Sequence, residues 1–117
     1  MKEYKMDFID FIHHDNGILE AIAHKDIEIN DAMASDFLNF IDNIQPKVSK
    51  VLVNRINNYS YTFKANLILA NTKLSLDVAV VKYGRAPWPF KGVLFPKFYH
   101  LAFFDNRDEA INWLSVK

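Results

Sequence analysis

The chain predicts an α/β fold: a mixed sheet of about five strands with helices, in the order ββαβαβ(α)βα. Three observations carry this expectation. Asp15-Asn16-Gly17 divides two short apolar runs, and Asn-Gly accommodates the positive φ angles of a hairpin turn. Two later segments repeat apolar residues at helical spacing. Val-rich, β-prone runs follow them. Strands that alternate with helices imply parallel pairing through helical crossovers.

Residues 6–14 are rich in Phe and Ile, and residues 18–23 resume an apolar run after the turn, which predicts two antiparallel strands. Asn30 or Asp31 then supplies a helix N-cap. Behind it Met33, Phe37, Phe40, Ile41 and Ile44 fall on one helical face, and Pro46 closes the helix. Residues 48–53 read as a short buried strand. After a polar turn at 54–60, Phe63, Leu67, Ala70 and Leu74 mark the apolar stripe of a second helix. Residues 75–82 are β-rich and end at Tyr83-Gly84. Pro87, Pro89, Gly92 and Pro96 allow only a short helix within 85–99. Residues 100–104 read as a last strand. Asn106 with Glu109 forms a capping box for a terminal helix that packs Ala110, Ile111 and Leu114. No repeat, low-complexity tract or linker interrupts the chain, so residues 1–117 are expected to form one domain.

Half of the residues are hydrophobic, with 10 Phe, 5 Tyr and 2 Trp. That is enough to bury a core without covalent staples. Fourteen Lys+Arg cancel fourteen Asp+Glu, which argues against a nucleic-acid partner, because phosphates are neutralised by a basic excess. The absence of cysteine removes disulfides, thiolate metal sites and thiol nucleophiles, and fits a reducing compartment. Asp7 and Asp10 break the early apolar run, unlike a signal peptide. No window reaches the ~18 apolar residues of a membrane span. The expectation is a cytoplasmic protein.

His13 and His14 are adjacent at a strand end and point to opposite faces, while His24 and His100 stand alone. Without His-x-x-x-His or His-Glu-x-x-His spacing, no metal is expected. Asp7 and Asp10 fall on opposite sides of a strand, and Asp105, Asp108 and Glu109 sit at a helix start where their charge meets the dipole. No nucleophile elbow, P-loop or dinucleotide fingerprint is present, so neither a cofactor nor an enzymatic activity is expected.

Three features carry a family resemblance. The chain opens with a hairpin over 8–23. The strand Val51-Leu52-Val53 runs through a polar turn into Tyr59-Ser60-Tyr61-Thr62-Phe63, and the chain closes with Asp108-Glu109-Ala110-Ile111-Asn112-Trp113-Leu114. In order and length it resembles the STAS domain of bacterial anti-sigma-factor antagonists, and more closely the SpoIIAA-like branch. The resemblance implies a non-catalytic regulatory or protein-interaction module with a protein partner. In phosphorylated members a Ser in an Asp-Ser-Ser-Gly-like motif starts the helix after the third strand; here Ser60 keeps the hydroxyl without the Asp or the Gly. Ser60 therefore has two readings, a helix N-cap or a phosphorylation site favoured by the helix N-terminus and by Lys64. The branch is also similar in structure to lipid-binding folds of the CRAL-TRIO type. That likeness implies an alternative, a module for a small apolar ligand.

Residues 85–99 concentrate Trp88, Phe90, Phe95, Phe98 and Tyr99 on a proline-stiffened stretch. Such aromatics either cover the sheet as core or form a pocket wall or a protein interface. A homodimer is the commonest way to cover an apolar patch, which places Trp88 and Phe90 at its interface or at a pocket mouth.

Overall fold

The computed structural model describes residues 1–84 and 99–117. Among them run β1 (Lys2–Lys5), β2 (Ile9–His13), β3 (Ile18–Ala23), β4 (Glu28–Ile29), α1 (Asp31–Asn43), β5 (Lys50–Arg55), β6 (Ser60–Tyr61), α2 (Phe63–Asn71), β7 (Asp77–Lys82), β8 (His100–Phe104) and α3 (Arg107–Ser115). Six strands join in the order β1-β2-β3-β5-β7-β8, and β4 pairs with β6 in a separate two-stranded sheet. The β1-β2-β3 end is antiparallel. From β3 through β5 and β7 to β8 the pairing is parallel. The mixed α/β architecture follows the sequence expectation of about five strands, with six in the main sheet among the described residues.

Alternation along the strands sorts the side chains onto two faces. Leu19, Ala21, Val51, Val78 and Val80 enter the larger core with Ala34 and Ile41 of α1 and Ala65 of α2. Phe11 anchors that core, stacked 4.2 Å from Phe40 and 5.7 Å from Phe37 between ring centroids. Ile18, Leu52, Ala79 and Val81 point the other way and meet Ala110 and Leu114 of α3. Each fully buried Leu or Phe contributes about 1.5–3 kcal/mol.

Several expectations change in detail. β1 precedes the hairpin; its sequence, Lys-Glu-Tyr-Lys, carries one half-buried residue, Tyr4, whose ring meets Phe40 at 5.2 Å. Too little of it is apolar to announce a strand. The hairpin loop spans four residues, and of these only Gly17 has a positive φ, 89°. Asn16 acts instead through its side chain, whose Oδ1 accepts from the Ile18 amide at 3.0 Å. β5 and β7 begin two residues later than predicted. α2 buries Ala65 and Ala70, while Phe63 is 67 % exposed and Leu74 lies beyond the helix end. The predicted stripe holds at Ala70, which is buried, and at Leu74, which packs on the larger core from beyond the helix, but fails at Phe63. The short helix expected within 85–99 falls almost wholly outside the described residues, as do Trp88, Phe90, Phe95 and Phe98. No helix among the described residues is long and apolar enough to cross a membrane.

Candidate functional site

Between the sheet and the α1/α2 layer lies a cavity of about 100 Å³. Ala21, Val51 and Val78 form part of its floor; Ala34 and Phe37 of α1 and Ala70 of α2 form part of its roof. Three of these six side chains are alanines, and their shortness leaves the space. A void of that size costs about 2 kcal/mol at ~24 cal/mol per Å³. Phe103 of β8, which is 37 % exposed, is also part of the lining.

Five polar side chains interrupt the apolar lining among the described residues: Asn66, Thr72 and the phenols Tyr59, Tyr61 and Tyr99. Residues 60–61 are held extended by pairing with β4, so Tyr59 and Tyr61 project to the same side. Their rings meet edge to face at 5.5 Å, and their hydroxyl oxygens are 3.4 Å apart. Arg55, the last residue of β5, lays its guanidinium 3.8 Å over the Tyr59 ring and donates from Nη2 to the Tyr59 carbonyl at 2.6 Å. Burial, with the neighbouring Tyr61, pushes the Tyr59 phenol well above its ordinary range. Burial also pushes Tyr99 up to about 12. Its hydroxyl donates to the Leu69 carbonyl at 2.9 Å.

The opposite face carries a polar cluster around Glu20, whose side chain is 4 % exposed. Oε1 accepts from Arg107 Nη2 at 2.7 Å and faces His14 Nε2 at 2.8 Å, and Oε2 accepts from Asn54 Nδ2 at 2.7 Å. Burial raises the carboxyl, but the bonds to Arg107, Asn54 and His14 outweigh it, and the net shift is downward. Beside the cluster is a hollow of about 230 Å³ bounded by His14, Asn16, Ile18, Leu52, Arg107 and Ile111. Its opposite charges neutralise one another, so its evident work is to tie α3 to β3.

Of the residues singled out from sequence, Tyr99 reaches the cavity wall. Ser60 is exposed in β6, its amide donating to the Ile27 carbonyl at 3.1 Å. It does not cap α2. That role belongs to Thr62, whose Oγ1 accepts from the Ala65 amide at 3.1 Å. Pairing with β4 keeps residues 60–61 extended and delays the helix by two positions. Three histidines lie beside carboxylates: His14 by Glu20, His24 by Asp10 at 3.0 Å and His100 by Asp77 at 2.8 Å. Among the described residues no three His, Asp or Glu side chains converge to hold a metal.

Sequence reasoning offered Tyr99 for a pocket wall but did not place the cavity, because its other walls come from elements far apart in the chain. A signal for its polar end did exist. Tyr59 and Tyr61 alternate around Ser60, which in extended backbone places both rings on one side. Comparison with protein-family models, curated proteins and solved structures yields no match.

Proposed function

We propose that this chain is a non-catalytic binding module that takes a small apolar molecule in the cavity beneath α1 and α2. One observation carries the reading: about 100 Å³ of space within the larger core, walled mainly by apolar side chains. Protein interiors are close-packed, with few voids larger than a water molecule. A dry cavity of roughly 150 Å³ lined by Leu, Ile and Phe holds benzene; the space here is smaller, about 100 Å³, so a single ring is the upper bound and enters only as the walls yield. Drug-sized sites begin near ~300 Å³, and a lipid chain is too large. Thermal melting of the full chain in benzene near its solubility limit tests the reading. A saturable rise in Tm is expected, absent in Ala34→Leu, where the longer side chain fills the space; Ala70→Val is the milder filler. An unchanged Tm for the wild-type chain sinks it.

A second reading, the regulatory interaction module implied by the STAS resemblance, is favoured by a different observation. Ile56 is 63 % exposed and Phe63 67 % exposed, at either end of the segment that carries exposed Ser60 from β5 into α2. Apolar side chains of this size presented to solvent suit a protein partner. Affinity capture from the native cells checks it: a specific protein held by the wild-type chain and lost with Phe63→Ser is expected. Equal capture by both excludes this segment as the contact.

A further inference from the structure

We infer that two copies of this chain associate through β1, the strands pairing antiparallel about a twofold axis at Tyr4 so that Glu3 of each copy faces Lys5 of the other. The inference is independent of the cavity reading.

Backbone geometry comes first. β1 ends the main sheet among the described residues and has β2 as its neighbour. In an antiparallel pair, successive residues turn their N–H and C=O groups alternately toward the partner strand and away from it. The Met6 amide donates to the Ile9 carbonyl at 2.9 Å, and the same register runs on through Tyr4↔Phe11 and Lys2↔His13. Lys2 and Tyr4 therefore direct their backbone groups to β2, and Glu3 and Lys5 direct theirs outward. Lys2, Glu3 and Lys5 are also exposed, so a second strand has access to this edge.

Charge then selects the register. Backbone bonds form where outward-directed residues meet, so two β1 strands can set Glu3 on Glu3, Lys5 on Lys5, or Glu3 on Lys5. The first two oppose like charges, which is destabilising. The third gives two ion pairs related by the twofold axis, each between residues whose backbones also bond, and makes the two Tyr4 rings directly opposed neighbours. Tyr4 lies on the α1 side of the sheet, against Phe40, so the alternating Glu3 and Lys5 side chains meet on the side away from α1. Lysine on an edge strand ordinarily keeps other strands away. In Lys-Glu-Tyr-Lys the intervening glutamate leaves one attractive register. The strand has 4 residues, and an interface this short falls below the standard size. The dimer is therefore weak: it forms in concentrated protein, and dilution returns β1 to an edge with a single neighbour.

Sedimentation equilibrium of the full chain from about 10 μM to about 1 mM, the range of weak complexes, tests the inference. Wild type is expected to pass from monomer toward dimer across that range. Glu3→Lys and Lys5→Glu, each alone, set like charges opposite one another and should weaken self-association about tenfold or more. Mixed in equal amounts, the two variants restore opposite charges at both positions and should pair with each other to within about threefold of wild type. The double variant, Glu3→Lys with Lys5→Glu, should likewise dimerise on its own. A wild-type chain that stays monomeric at the top of the range overturns the inference. A dimer that both single variants leave unchanged overturns it too, because the contact then lies elsewhere. Single variants that fail to pair in the mixture overturn the register.

Discussion

Glu20 shows how one side chain joins two distant parts of the chain. It interrupts an apolar run, Ile-Leu-Glu-Ala-Ile-Ala, and a charge at such a position is the kind of signal a sequence does carry. Its partners were not legible, because Arg107 lies 87 positions away. Only the pairing of β3 with β5 and the seating of α3 bring them together. Removing one partner of a buried ion pair costs roughly 3–5 kcal/mol. Arg107 is 39 % exposed, and solvent screening brings the expectation for Arg107→Met down to about 1–2 kcal/mol. The sign with pH is fixed by the carboxyl. Its folded pKa lies below the ordinary value of 4.5, so the stability it contributes is complete above that value and lost as pH falls through the folded one. Urea unfolding of wild type and Arg107→Met at pH 7 and again at pH 3 should show the gap between them narrowing in acid. A gap that stays constant would mean that Arg107 stabilises by packing alone.

At the scale of elements, legibility followed how one-sided each segment is. The face of α1 was readable because Phe37, Phe40 and Ile41 recur among polar neighbours such as Asp36, Asn39 and Asp42. α2 is apolar nearly all round, Phe-Lys-Ala-Asn-Leu-Ile-Leu-Ala-Asn, so periodicity does not choose its buried side. Small Ala65 and Ala70 face the core, and Phe63 is left in solvent. The start of α2 was hidden for another reason: the pairing of β6 with β4 is a tertiary event, and it decides that Thr62 rather than Ser60 caps the helix. Two mutants test this directly. Thr62→Ala should cost about 0.5–2 kcal/mol, the usual worth of a cap. Ser60→Ala, at an exposed position, should stay within about 0.5 kcal/mol of wild type. The reverse order in denaturant unfolding would return the cap to Ser60.

At the scale of the whole fold, the helices of the described residues divide unevenly between the two faces of the sheet, and stability should divide with them. α1 and α2 close one face, and α3 covers the other over β5, β7 and β8. β5 lies between β3 and β7 in the order of the sheet. Its Val51 and Leu52 are 1 % and 0 % exposed. Among the described residues β1 is an edge strand that pairs with β2, three of its four residues are exposed, and the Tyr4 ring meets Phe40. An edge with a single neighbour and few apolar contacts opens locally, without unfolding the rest. Amide hydrogen exchange under native conditions should therefore separate the two. Val51, Leu52 and Val53 are expected to exchange only through global unfolding, with protection corresponding to the full stability of the domain, about 5–15 kcal/mol for proteins of this kind. Amides of β1 that bond to β2 should exchange orders of magnitude faster, through openings that leave Phe11 stacked on Phe40 and β2 protected by β3. If the β1 amides prove as slow as those of β5, the sheet opens as one cooperative unit. The Tyr4 contact with Phe40 would then hold the edge far more strongly than one aromatic pair, worth ~0.5–1.5 kcal/mol, accounts for.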